Sequence, residues 1–276
     1  MSGRSAAVVT PSFGGSVAVP GRRAALEIND VSLAFDLPAG QRSILERLSF
    51  EVFDGEILCL VGPSGCGKTT ILRLLAGLLR PSSGEIRFRG EPVRAPSRER
   101  AIVFQDYTNA LLPWRSVAAN VALSLEARRI PRDQHAEVVD ALLAKMNLRQ
   151  AAQQYPVQLS GGMQQRVQIA RCLAQQPSIL LMDEPFGALD AITRQTLQDE
   201  LLQLAAEQHM TVVFITHDLE EAIYLGDRVF VLGANPGRIV KQIEVELPRP
   251  RSQLETREDR RFLAHRHHLF GLLQEH

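Results

Sequence analysis

Glu56–Leu79 reads EILCLVGPSGCGKTTILRLLAGLL, and the order of residue types along it decides the fold. Ile57-Leu58-Cys59-Leu60-Val61 is a continuous apolar run closed off by Gly55 and Gly62. That is the pattern of a strand buried on both faces in a parallel sheet. Gly62-Pro63-Ser64-Gly65-Cys66-Gly67-Lys68-Thr69 matches G-x-x-x-x-G-K-[ST], and Ile71, Leu72, Leu74, Leu75 and Leu78 then continue at helical spacing. A strand, a glycine loop and a helix in that order is the context the motif requires. The glycines let backbone N–H groups turn inward around phosphates, and the helix start adds its partial positive charge. Lys68 then reaches the β- and γ-phosphates of a nucleotide, and the Thr69 hydroxyl ligates Mg²⁺. Gly62 through Thr70 is therefore the candidate nucleotide loop. Cys66 lies inside it, beside a lysine and a helix N-terminus, a setting that favours a reactive thiolate.

The 276 residues suffice for one or two domains with ample core. Lys and Arg number 31 against 31 Asp and Glu, so nothing global argues for nucleic acid or an anionic membrane as partner. Cys59, Cys66 and Cys172 have neither C-x-x-C spacing nor an even count, which fits a reducing compartment. No apolar run approaches the roughly 18–20 residues of a membrane span. The patch Ala6-Ala7-Val8-Val9 is too short for a signal peptide. A cytoplasmic protein that meets the membrane only through a partner is expected.

Residues 1–23, rich in Ser, Gly, Ala and Pro, read as a disordered tail. Segments 26–35 and 44–53 alternate like antiparallel strands with one wet face. A short strand is predicted at 85–88 and a buried one at 101–104, ending at Gln105. Between 106 and 176 the character turns helical, with helices at 117–129 and 133–146 and a third at 161–174 capped by Ser160. Ser178–Met182 and Thr211–Ile215 read as further buried strands joined by a helix at 191–207, as a parallel crossover requires. Strands at 228–232 and 239–245 follow. An amphipathic helix from about Arg257, carrying Phe262, Leu269, Phe270 and Leu273, ends the chain. The fold class is α/β: a phosphate-loop core with a mostly parallel sheet, an antiparallel β subdomain and an inserted α-helical subdomain. Each buried strand runs at its carboxyl end into a polar group: the glycine loop, Gln105, Asp183-Glu184 or His217. Open α/β sheets bind ligands at that edge.

Asp183 after Ile-Leu-Leu-Met suits a Mg²⁺ ligand, and Glu184 beside it suits a general base for water. Leu159-Ser160-Gly161-Gly162-Met-Gln-Gln-Arg166 places a hydroxyl and bare N–H groups at a helix start, a second grip for an anion. A second grip makes sense if it serves the nucleotide of another copy, in a head-to-tail dimer that sandwiches two ATP molecules. With these motifs the chain resembles the ATP-binding subunit of an ABC transporter over about residues 24–250, with 106–176 its helical subdomain and 251–276 a helical extension.

The resemblance implies further roles. Gln105 matches the glutamine that senses Mg²⁺ and the attacking water near the membrane-subunit contact. Ala188-Leu189-Asp190 matches the loop linking the two sites of the dimer, and His217 matches the histidine that contacts the γ-phosphate. Phe35 fits the aromatic that stacks on adenine, although Asp36–Ser43 is longer than the family pattern. Gln105 followed by Leu111-Leu112-Pro113-Trp114, with Pro248-Arg249-Pro250-Arg251 near the end, is similar to the nitrate/sulfonate/taurine importer group. Leu111, Leu112 and Trp114 either mark a partner surface or fold back under the helical subdomain. His265 and His268 share a helix face, but no carboxylate or cysteine stands at metal-binding spacing, so they read as a solvated polar face. The implied function is an ATPase at the cytoplasmic face of the inner (plasma) membrane, driving uptake through integral permease subunits fed by an extracytoplasmic solute-binding protein. Its cofactors are ATP and Mg²⁺, and no nucleic acid is involved. The alternatives are a soluble ABC-type ATPase acting on nucleic acid or ribosomes, and an exporter subunit.

Overall fold

A computed structural model of the chain describes residues 22–38, 40–106, 110–187 and 189–274. The expected N-terminal tail falls almost wholly outside these residues, as does Ala188. The strands divide into two sheets. One is antiparallel, in the order β2-β1-β4-β5, from β1 (Ala24–Leu37), β2 (Gly40–Phe53), β4 (Ser83–Phe88) and β5 (Glu91–Pro92). The other has the order β10-β9-β3-β8-β7-β6. It is built from β3 (Ile57–Val61), β6 (Arg100–Val103), β7 (Ile179–Asp183), β8 (Thr211–Ile215), β9 (Arg228–Gly233) and β10 (Arg238–Glu244). Only β10 runs antiparallel in it.

Every residue of β3, β7 and β8 is buried. Their alternate residues serve different cores, because successive side chains of a strand point to opposite faces. Leu58, Leu60, Leu181 and Val213 join a core formed with the antiparallel sheet and α1 (Lys68–Ala76). Cys59, Val61, Met182 and Phe214 join the other core. That second core includes α2 (Val117–Ala127), α3 (His135–Lys145), α4 (Gly161–Leu173) and α5 (Ala191–Gln208). Continuous apolar runs in the sequence are the signature of this two-sided burial.

The departures from the sequence reading are local. Phe104 lies beyond β6, and the helix expected from residue 133 starts with a 3₁₀ turn at Arg132–Gln134 before α3. A helix that periodicity did not suggest, α6 (Leu219–Leu225), follows His217-Asp218. It is short and nearly engulfed, with Ile223, Tyr224 and Leu225 all buried, so it has no wet face to give it a period. The terminal helix is broken at Asp259 into α7 (Glu255–Glu258) and α8 (Arg260–Gln274). Phe262 and Leu269 are buried and Phe270 is exposed. Glu220 of α6 accepts from Arg257 at 2.9 Å and from Arg266 at 3.0 Å. The Arg257 guanidinium also lies over the rings of Tyr224 and Phe262. The C-terminal segment is thereby clamped to the helix that leaves the sheet's ligand-binding edge.

Candidate nucleotide site

Adjacent strands β3, β8, β7 and β6 end side by side, and their carboxyl ends deliver the glycine loop, His217, Asp183-Glu184 and Gln105 to one place. Gly65 and Gly67 sit at φ 79° and 98°, the left-handed region that favours glycine. Gly67 caps α1 without a side-chain acceptor, and the first turn carries no acid. The N–H groups at this helix start are therefore offered to an anion. Lys68 is buried, with Nζ donating to the carbonyls of Gly62 at 2.7 Å and Pro63 at 2.9 Å. The lysine thus spans the loop it serves. Ser64 and Gly65 are exposed at the loop tip, and Thr69 and Thr70 are half-buried.

The Thr69 hydroxyl donates to the buried Asp183 carboxylate. Burial holds the Asp183 pKa above its ordinary value, opposed by the Thr69 hydrogen bond and raised further by the Glu184 charge. A hydroxyl and a desolvated carboxylate are hard oxygen donors of the type Mg²⁺ selects, so these residues fit that ion. Glu184 has the left-handed φ of 45°, and its N–H donates to Ile215 O at 3.0 Å. This turn out of β7 aims its side chain along the sheet edge. Glu184 Oε2 accepts from Gln105 Nε2 at 3.0 Å and lies 3.2 Å from His217 Nδ1. Three residues separated widely in sequence meet on one oxygen.

Ser160-Gly161-Gly162 and Asp190 form a second group. Ser160 Oγ accepts from Met163 N and Asp190 Oδ1 accepts from Thr193 N, so each caps its own helix. A Cβ on Gly162 would meet Leu189 Cδ2 at 2.7 Å, which shows how closely the two helix starts approach. Among the described residues no hydrogen bond or ion pair joins this group to the glycine loop or to Glu184. Phe35 stands exposed on the β1–β2 hairpin, whose ladder continues to Leu37 and Gly40 and so accommodates the long Asp36–Ser43 segment.

Cys66 stands beside the lysine as expected, its Sγ 3.9 Å from Lys68 Nζ, but it is 1% exposed, in the same core cluster as Leu45, which closes it to a bulky electrophile. The sequence reading also missed Gly237, which exchanges backbone hydrogen bonds with Ile44 and Glu46. A Cβ there would press on the Cys66 carbonyl. The turn between β9 and β10 therefore buttresses the glycine loop, and no local sequence signal marks it. Of the apolar residues after Gln105, Leu111 is buried in the core, whereas Trp114 is 71% exposed. The buried Asn120 side chain holds this loop, accepting from Leu112 N and donating to Leu112 O and Arg115 O.

A glycine loop at the end of a buried parallel strand, with a carboxylate pair two strands away, defines a P-loop nucleotide hydrolase. The ABC transporter family profile matches residues 45–187, and the chain belongs to that family as an ATP-binding ATPase. It is 44% identical over 91% of its length to the nitrate import ATP-binding protein NrtC of Synechococcus elongatus, of which it spans 38%. It is 48% identical over 80% of its length to the taurine import ATP-binding protein TauB of Chromobacterium violaceum, of which 83% is covered. Among solved structures it resembles a dimeric, post-hydrolysis cassette, MJ0796, bound to ADP and Pi. There the TM-score is 0.74 and the identity 29%, over 80% of this chain and 98% of that one. Among the described residues no helix is long and apolar enough to cross a membrane.

Proposed function

We propose that the chain is the ATP-hydrolysing subunit of an importer for a small solute of the nitrate or taurine kind. Two copies would close head to tail on two ATP molecules at the cytoplasmic face of the plasma membrane. Permease subunits fed by an extracytoplasmic binding protein would carry the solute. The observation that carries this reading is Glu184 Oε2 held between Gln105 and His217, next to the Thr69–Asp183 pair. The relatives named for nitrate and taurine import support the direction and the solute class.

In this reading the N–H groups of Gly62–Thr70 and the Lys68 ammonium bind the triphosphate, and Phe35 stacks on adenine. Thr69, Asp183 and Gln105 would hold Mg²⁺, which neutralises the phosphate charge. Glu184 accepts the proton of the attacking water while Gln105 and His217 fix its carboxylate and His217 contacts the γ-phosphate. Ser160, Gly161 and Gly162 grip the γ-phosphate bound by the other copy, with Asp190 at the seam between sites. Trp114, largely exposed in the segment that follows Gln105, is the proposed contact for a permease.

Glu184→Gln keeps the shape but cannot take a proton. It should bind ATP, lose turnover by roughly 100- to 10,000-fold, and elute as a dimer on size exclusion only with MgATP. Parent-rate hydrolysis, or a variant that stays monomeric with MgATP, removes Glu184 from this role.

A further inference from the structure

The six-stranded sheet ends on β6, and an edge strand presents unpaired N–H and C=O groups on alternate residues. Two side chains of α4, one turn apart, cover that edge. Cys172 Sγ donates to Ile102 O at 3.3 Å. Gln168 is fully buried and lies opposite Phe104, the first residue past the strand. With the amide oriented so that donors meet acceptors, its oxygen accepts from Phe104 N at 2.8 Å and its nitrogen donates to Phe104 O at 3.2 Å. A single side chain thus satisfies both backbone groups of a residue that has left the ladder. Buried groups so paired are costly to unpair, which makes this a rigid joint.

The residue after that joint is Gln105, whose side chain donates to Glu184. The helix that carries Gln168 begins at Ser160. We propose that Gln168 is a positioning residue that holds Gln105 on Glu184 and ties the helix beginning at Ser160 to the hydrolytic carboxylate of the same chain. The proposal rests on the reading of Glu184 and Gln105 given above. It carries that reading further: Ser160 would touch the partner copy's nucleotide and Gln105 this copy's own. A displacement of α4 by one ATP would then reach the base acting on the other through the Gln168–Phe104 pair and the Gln105–Glu184 hydrogen bond. A Gln168 that merely satisfied a buried edge would change turnover by the same factor whether or not the Gln105 side chain is present.

The test is a double-mutant cycle on ATP turnover by the full chain, with melting temperature as a check on folding. Gln168→Leu, similar in size but unable to bond, should lower kcat by roughly 10- to 100-fold and leave the KM for ATP within about 2-fold. Adding Gln168→Leu to Gln105→Ala should cost nothing further. Gln168→Glu provides the second measurement, and the only one needed if the leucine variant does not fold. An ionised carboxylate accepts from Phe104 N but repels Phe104 O, whereas a protonated one restores both hydrogen bonds. Its rate relative to the parent should therefore rise as pH falls from 8 to 6. Multiplying effects in the cycle, an unimpaired Gln168→Leu beside an impaired Gln105→Ala, or a flat relative rate for Gln168→Glu overturn this proposal alone. A Gln105→Ala variant with the parent rate overturns the site reading, and this proposal with it.

Discussion

Asp183 has a carboxylate that the fold makes costly to ionise, because burial outweighs the Thr69 hydrogen bond and the Lys68 and Arg73 charges. Its folded pKa lies above the ordinary 3.8, so the folded chain holds this proton more tightly than the unfolded one. Asp183 is therefore least harmful to stability below that ordinary value, and stability is lost as pH rises through the folded pKa. Asp183→Asn removes the loss. Melted in EDTA, it should match the parent in acid and exceed it increasingly toward neutral pH, while losing MgATP hydrolysis. A variant that melts below the parent at neutral pH refutes this account of a buried carboxylate that costs stability when ionised. Such residues were legible in the sequence because each stands immediately after an apolar run that fixes where it points. The burial of Cys66 was not, since it depends on Leu45 and Gly237, which come from distant segments.

The β9–β10 turn shows what an element contributes beyond its own hydrogen bonds. Gly237 is placed against the Cys66 carbonyl, so Gly237→Ala must displace either the turn or the glycine loop. Overpacking of this type costs about 1–3 kcal/mol. Here the strain falls on the nucleotide loop, so KM for ATP should rise along with the loss of thermal stability. If calorimetry shows destabilisation while KM stays at the parent value, the turn does not support the loop. The elements that the sequence revealed have either two-sided burial, as β3, β7 and β8 do, or a plain cap, as α4 does with Ser160. Of those it concealed, α6 is fixed by tertiary partners such as Glu220 with its two arginines, while the break at Asp259 is capped locally, Asp259 Oδ1 accepting from Arg261 N. The segment after Gln105 divides, because Asn120 pins the loop so that Leu111 enters the core while Trp114 stays exposed.

At the scale of the whole molecule, the proposed reading assigns the Ser160 group to the nucleotide of a second copy, since among the described residues no hydrogen bond or ion pair joins it to the glycine loop of its own chain. Ser160→Arg should spare nucleotide binding to the single chain and block hydrolysis. Mixing it with Lys68→Ala distributes the lesions unequally: a mixed dimer has one site free of both and one carrying both. Recovered turnover in the mixture is the expected result. Mixed dimers that form and stay inactive rule out a grip exchanged between copies. The composition and the parallel-sheet pattern anticipated the overall architecture, but no sequence feature identified which side chains join the helical block to the sheet. Gln168 at Phe104 is such a joint, and it lies outside every motif. Trp114, finally, makes the chain its own optical reporter. It is the single tryptophan in the sequence and is largely in water. Indole fluorescence of the free protein therefore arises wholly from the surface proposed to meet a permease, with the long-wavelength emission of a hydrated ring. Assembly with permease in detergent should shift that emission to shorter wavelength with no label added. An unchanged spectrum on a complex shown to form would move the contact elsewhere.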